Sequence, residues 1–400
     1  MTPARAVTAT RAAPPEPAWK STSRQVGAGE EEQEGDRVTE DGAARRIIVV
    51  GTGLIGTSIA LAMRERGAEV LLTDRDSAAL AMAVELGAGE RLPDEAGFRP
   101  ADLAVLAVPP AAVAVTLLDA QKRGLATAYT DVASVKALPL RQAAELGCDM
   151  TTFVGGHPLA GRERSGPGAA RADLFLGRPW ALCAPPEATP ETVEAVTGLA
   201  KACGAMPVEV DAAEHDRAVA LVSHAPHVVS AAVAARLTGA DDVALGLAGQ
   251  GVRDVTRIAA SDPRLWIGIL TANAEPVADV LEAVATDLAV AASLLRDGSE
   301  EAAAHVADLL LRGNAGRSRI PGKHGGDQPA YATVQVVIPD RPGELAMVFQ
   351  AAGIAGVNIE DVTIEHSPGR PVGVLELSVV PEAAERLAAE LRARGWSVPG

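Results

Sequence analysis

The chain has 400 residues, enough for two or three domains at roughly 150 residues each, and its 48% apolar and 22% charged content excludes wholesale disorder. With 36 basic against 52 acidic residues the formal charge is −16, which argues against a nucleic-acid partner because such a surface repels phosphate at long range. Three cysteines, Cys148, Cys183 and Cys203, contain no C-x-x-C pair, so they support neither a disulfide framework nor a structural zinc site and point to the cytoplasm.

Residues 1 to 45 mix proline and alanine with the acidic run GEEEQEGD and lack the apolar core of a signal peptide; they read as a disordered, solvated tail. From Arg46 the texture changes to short β-branched runs alternating with alanine-rich amphipathic stretches: RIIVV, LIGTSIALAMRER, EVLLT, SAALAMAVELG, DLAVLAV. That βαβαβ order, with strands apolar on both faces, predicts a doubly wound parallel α/β sheet. Further strands are expected at TAYTD, FVGG, WALCA and PVEV, which ends this dinucleotide-binding domain at 211. The most apolar stretch, 103 to 118, carries Pro109 and Pro110 and falls short of the roughly 20 residues a membrane span needs, so no membrane helix is expected there.

Residues 212 to 312 lose the strand pattern and read as an all-helical domain. The glycine-rich, basic segment 313 to 329 reads as a flexible linker. Residues 330 to 400 give the order βαββαβ, a ferredoxin-like unit. The apolar character of the helical domain makes a symmetric dimer through it the expected oligomer.

Three clusters carry chemistry. GTGLIG at 51 to 56 follows a strand and opens a helix, so Gly51 makes the turn, Gly53 admits a pyrophosphate and Gly56 allows close packing, with Leu54 and Ile55 in the same loop. Asp74, 23 residues after Gly51, ends the second strand where it can accept both ribose hydroxyls. This favours NAD, while the adjacent Arg75 keeps NADP as the alternative. Val108 and Pro109, just past the third long strand, complete the cofactor set. TDVASVK and GGHPLAGRERSG leave the ends of later strands, where ligands bind in such sheets, and place Ser134 near His157, whose tautomer it is positioned to fix. In the helical part, EHDRAVALVSHAPH and GQGVRDVTRIAASDPRLW hold His224, His227, Asp254 and Arg257. Asp254 and Arg257 share a helix face, read either as a surface ion pair or as an acid-supported arginine clamp for a carboxylate. The histidines lack metal-ligand spacing, so no metal is expected.

GTGLIGTS, DVASVK, GGHPLAG, SHAPH and RDVTRIAASDPRLW, in this order, resemble the prephenate dehydrogenase family, and DRPGELAMVFQAAGIAGVNIEDVTIEH resembles an ACT domain; together they span about residues 46 to 400. The resemblance implies NAD-dependent oxidative decarboxylation of prephenate to 4-hydroxyphenylpyruvate in tyrosine biosynthesis. His157 is then the proton acceptor, with Ser134 orienting it and touching the nicotinamide side. Arg257 binds the side-chain carboxylate, and His227, Glu163, His224 and Asp254 complete the substrate pocket. In the ACT unit, Pro342, Gly343, Asn358 and Ile359 border a site for an aromatic amino-acid effector, tyrosine by resemblance. Arg162 and Gly268 depart from the family pattern, and Arg162 leaves arogenate open as substrate. The rival classes are a β-hydroxyacid dehydrogenase, weakened by the absence of lysine from 212 to 312, and a non-catalytic nucleotide and amino-acid sensor.

Overall fold

A computed structural model of the chain describes residues 44–93, 99–161, 165–320, 331–366 and 371–399. The expected tail up to residue 43, Glu163 with its neighbour Arg162, and most of the expected linker, 321–330, lie outside the described residues.

The first half contains β1 (Arg46–Val50), α1 (Leu54–Glu65), β2 (Glu69–Thr73), α2 (Ser77–Glu85) and the short β3 (Glu90–Arg91). It continues with β4 (Ala101–Leu106), α3 (Val113–Lys122), β5 (Ala126–Asp131), α4 (Ala137–Glu145) and β6 (Phe153–Pro158). With β7 (Pro179–Cys183), α5 (Pro190–Ala202) and β8 (Met206–Glu209) these form one eight-stranded sheet in the order β3-β2-β1-β4-β5-β6-β7-β8. Alternation along β1 sends Ile47 and Val49 into a core with Ile59, Leu80 and Val196, and Ile48 into a second core with Val113, Leu117 and Ala143. The sheet is therefore covered on both faces, as a strand apolar throughout requires.

The sheet is mixed rather than wholly parallel. Pairing is parallel from β3 to β6, but β7 runs antiparallel to β6, with His157 opposite Ala181. A parallel return needs a crossover element, and the described part of the β6–β7 connection carries only a 3-10 turn, Pro167–Ala169.

The helical domain opens with α6 (Ala212–Val219), a π turn (Ala220–His224) and α7 (Ala225–Arg236) in one continuous run. Pro226 inside that run has no N–H to give, and the widened turn just before it relieves the clash a proline makes with an α-helical carbonyl. The run Ala212–Gly239 is long and apolar enough to cross a bilayer by length and composition. One face of it, with the polar side chains His215, Asp216, His224, His227 and Ser230, is buried inside the protein, while Leu221 and Val222 are exposed. After it come α8 (Asp242–Gly246), α9 (Gln250–Thr256), α10 (Pro263–Ala272), α11 (Ala274–Asp297) and α12 (Glu300–Ser318), of which α9 and α11 pack on the run and α12 on α11. α12 runs six residues past the boundary expected at 312; at that boundary Arg312 reaches Asp287 of α11 (3.1 Å) and Asp308 (3.0 Å).

The C-terminal unit contains β9 (Ala332–Pro339), α13 (Glu344–Ile354), β10 (Asp361–His366), β11 (Val372–Val379) and α14 (Pro381–Ala393). Its antiparallel sheet has the order β10-β11-β9 and its own core around Val336, Leu375, Leu377 and Leu387. The final strand expected at WSV is reduced to one bridge, Ser397 to Val337.

Candidate active site

The nucleotide side is built from backbone. Gly51 has φ +101°, and a Cβ there would meet Ala107 O at 2.2 Å; one on Gly56 would meet Gly51 O at 2.0 Å. A Cβ on Gly53 would meet nothing within 4 Å, which leaves that position open to a ligand. Gly53 caps α1 without a side chain, and the first turn, with Leu54 and Ile55, holds no acid, so the helix presents unpaired N–H groups and its positive end to an anion. A cleft of about 450 Å³ continues from Gly51 past Asp74, Arg75, Val108, Pro109 and Arg123. These features fit a bound dinucleotide.

Asp74 is more committed than the sequence suggests. Its carboxylate accepts from Thr52 N (2.5 Å), Thr52 Oγ1 (2.9 Å) and Asp76 N (2.8 Å). Of the roughly four acceptor positions of a carboxylate, one remains, so in this arrangement Asp74 has room for one ribose hydroxyl instead of both.

His157 lies within β6 itself, half-buried, at the sheet edge where Gly51 and Val108 also emerge. Its Nδ1 is 2.8 Å from His215 Nε2, and His215 Nδ1 is 2.8 Å from Asp216 Oδ1. Asp216 Oδ1 also accepts from Lys136 N (2.8 Å), and Oδ2 from Ala137 N (2.9 Å). A carboxylate in this role accepts, so His215 carries its proton on Nδ1 and accepts at Nε2. His157 then donates through Nδ1 and keeps the lone pair on Nε2 open. Burial first, then the neighbouring His215, Lys136 and His224, hold His157 well below the usual histidine range, so the ring stays neutral and able to take a proton.

Beneath this chain a buried ion pair fixes the strand. Lys136 Nζ donates to the Asp131 carboxylate and to Gly156 O, while Gly156 N donates to Asp131 Oδ1 (3.2 Å). Both peptide groups of the residue before His157 are thereby held.

The helical domain supplies the facing wall. The His227 ring stacks on Trp266 with centroids 3.6 Å apart, and its Nε2 is 2.9 Å from Ser261 Oγ. His224 meets Trp266 edge-on and is pushed down to about 4, chiefly by burial, with Asp216 opposing the shift. Burial also lowers His227. The helix that carries Trp266, α10, packs on the turn Pro110–Ala112, directly after Val108 and Pro109, so this wall lies beside the nucleotide loop. Arg257 begins the turn after α9 and is exposed; Asp254 is exposed and accepts from Gln250 Nε2 (2.7 Å).

The expected orienting bond from Ser134 to His157 is not formed. Among the described residues no hydrogen bond joins the two; the partner at His157 Nδ1 is His215 instead, and Ser134 is half-buried two residues before Lys136. Glu163 lies outside the described residues. Sequence assigns no role to His215, Asp216, Lys136, Asp131, Asn273, Ser261 or Trp266, although His215 clusters with His157, His224 and His227 among the histidines. Among the described residues no three His, Cys, Asp or Glu side chains converge as metal ligands.

The C-terminal residues expected to border an effector fall into two groups. Pro342 and Gly343 follow β9, whose end pairs with Val372, whereas Asn358 and Ile359 lead into β10, whose start pairs with Ser378. At about 3.3 Å per residue these groups are on the order of 20 Å apart along β11.

Comparison with known proteins agrees with this geometry. Residues 59–209 match the nucleotide-binding domain of prephenate dehydrogenase, and residues 211–308 its dimerization domain. The chain is 42% identical over 362 residues to the probable prephenate dehydrogenase NovF of Streptomyces niveus, covering 88% of this chain and 99% of that protein. Among solved structures it resembles Synechocystis arogenate dehydrogenase, with TM-score 0.57 and 30% identity over 68% of this chain and 98% of that one. It also resembles prephenate dehydrogenase from A. aeolicus in complex with hydroxyphenyl propionate and NAD+, with TM-score 0.58 and 26% identity over 67% of this chain and 96% of that one. The chain belongs to the prephenate dehydrogenase family.

Proposed function

We propose that the chain catalyses the NAD-dependent oxidative decarboxylation of prephenate to 4-hydroxyphenylpyruvate, a step of tyrosine biosynthesis. The observation that carries this reading is the neutral His157, whose Nε2 lone pair is left open by the His215–Asp216 chain at the nucleotide edge of the sheet. Residues Gly51 to Gly56, Asp74, Val108 and Pro109 would hold the dinucleotide, which supplies a hydride acceptor when bound. His157 takes the proton of the ring hydroxyl as the carbon beneath it becomes a carbonyl. The bond to the ring carboxylate then breaks, CO2 leaves, its electron pair completes the aromatic ring, and the former carbonyl oxygen takes a proton back to become the phenol hydroxyl. Arg257 pairs with the side-chain carboxylate, Ser134 lies on the nicotinamide side, His224, His227 and Asp254 line the pocket, and Glu163 is a further substrate contact by resemblance. Arogenate remains the second substrate reading, supported by the likeness to the Synechocystis enzyme. An assay of reduced-cofactor formation with prephenate or arogenate crossed against NAD or NADP decides both choices. No turnover with any pair would defeat the reading.

The family's dimerization domain and the exposed apolar side chains Leu221, Val222, Leu288 and Leu295 support a homodimer through the helical domain. Light scattering on the eluting full chain reads its mass. Buried, unbridged Cys148, Cys183 and Cys203 are in keeping with a cytoplasmic enzyme. The C-terminal unit is read as an ACT domain that binds tyrosine. Because Pro342 and Gly343 stand far from Asn358 and Ile359 within one protomer, a site using both groups needs two copies of the unit. Tyrosine is expected to inhibit the full chain and not a chain ending near residue 326; unchanged inhibition after truncation would place the effect at the active site.

A further inference from the structure

Asn273 sits at the break between α10 and α11, buried, with a backbone (φ −121°, ψ 35°) belonging to neither helix. Its Nδ2 donates to Asp216 O at 2.8 Å and lies 3.1 Å from His224 Nδ1. The backbone carbonyl of Asp216 can only accept, so the amide nitrogen, and not the amide oxygen, must face it. The second proton of the same NH2 group then points at His224, and a donor-only nitrogen there requires Nδ1 to carry the lone pair. The proton of the neutral His224 ring is left on Nε2.

We infer that Asn273 is a positioning residue that fixes His224 as a neutral Nε2–H donor and ties it to Asp216, the residue that also sets the tautomers of His215 and His157. The arrangement joins the two histidine systems through one residue: the Asp216 side chain holds His215, and its main-chain carbonyl holds the amide that holds His224. A donor at Nε2 suits an oxygen of an anionic substrate, and an uncharged ring adds no positive charge beside His157. The groups facing His224 are Asn273, Asp216, His215, His157 and the edge-on Trp266. Of these only Asp216 favours its protonation, and Asn273, unlike an aspartate, adds nothing to that pull.

The inference rests on the dehydrogenase reading of the site, but its first test needs no turnover. In the full-length protein labelled with ring-15N histidine, His224 at neutral pH should show an acceptor-type Nδ1 and a protonated Nε2; a protonated Nδ1 overturns the proposal. Asn273→Asp, which puts a carboxylate against the same ring nitrogen, should move the proton to Nδ1 or charge the ring. It should also shift the acid limb of kcat/KM upward by at least about half a pH unit. Asn273→Ala should raise the substrate's KM about tenfold with little change in cofactor affinity. If both variants keep the wild-type ring signals and acid limb and lose activity only in step with thermal stability, Asn273 is structural and the inference falls. Should Asn273→Asp not fold, the wild-type ring signals and the KM against kcat split of Asn273→Ala decide alone.

Discussion

Asp216 is a short side chain that decides the protonation of two imidazoles. Because it accepts from His215, the acceptor order passes to His157 and leaves Nε2 open, so the base is set before substrate arrives. Replacing His157 by Asn should lower kcat by at least about a hundredfold, the low end of what a positioned base contributes, while the dinucleotide Kd measured by calorimetry stays near wild type. The acid limb of kcat/KM should lie below the ordinary histidine value of about 6.5, since burial, His215 and Lys136 all oppose the charged ring; a limb at or above it would contradict that environment. Arg257→Ala should act on the substrate's KM more than on kcat, because a carboxylate pairs with it in ground and transition states alike. The glycine loop, Asp74 and His157 were legible because short motifs carry them. The His157–His215 bond was not, since 58 residues separate partners that no local period relates.

At the scale of elements, β6 is where sheet and chemistry meet. Gly156 has no room for a side chain: a Cβ would stand 2.7 Å from Asp131 O and 3.0 Å from both Thr130 Oγ1 and Trp180 Nε1. Gly156→Ala should therefore push β6 off β5 and cost about 1–3 kcal/mol. Turnover should fall as well, because His157 is the next residue; chemical denaturation and a kcat measurement on the same preparation check both. Lys136→Met removes one partner of a fully buried ion pair and strands Asp131, an arrangement that costs about 3–5 kcal/mol. A small change in the urea midpoint would show that the pair is not holding the strand. Element order was readable through β6 because β-branched runs and alanine-rich helices alternate there. The reversal of β7 was not, since strand composition says nothing of direction. The end of α12 lies beyond the expected 312 because Gly313 and Gly316 weaken the local helical signal without breaking the helix, which continues to Ser318.

For the whole molecule, the buried histidines make the dehydrogenase body sensitive to acid. His157, His224 and His227 all have folded pKa values depressed by burial, His224 to about 4, while an unfolded chain protonates them near 6.5. Between those limits the unfolded state binds more protons than the folded one, so stability rises with pH. Their contribution is complete above about pH 6.5 and is lost as pH falls toward the folded values, at up to about 1.4 kcal/mol per pH unit for each ring. The C-terminal unit packs around a core of its own, built from Val336, Leu375, Leu377 and Leu387, and none of the three rings belongs to it. Calorimetric scans from pH 7.5 to 5 should therefore lower the transition of the body, and a chain ending near residue 326 should show the same decline. Double replacement of His224 and His227 by Gln, neutral at every pH, should flatten the slope below pH 6.5 even where it lowers the starting Tm. An undiminished slope in that variant would assign the acid sensitivity to other groups.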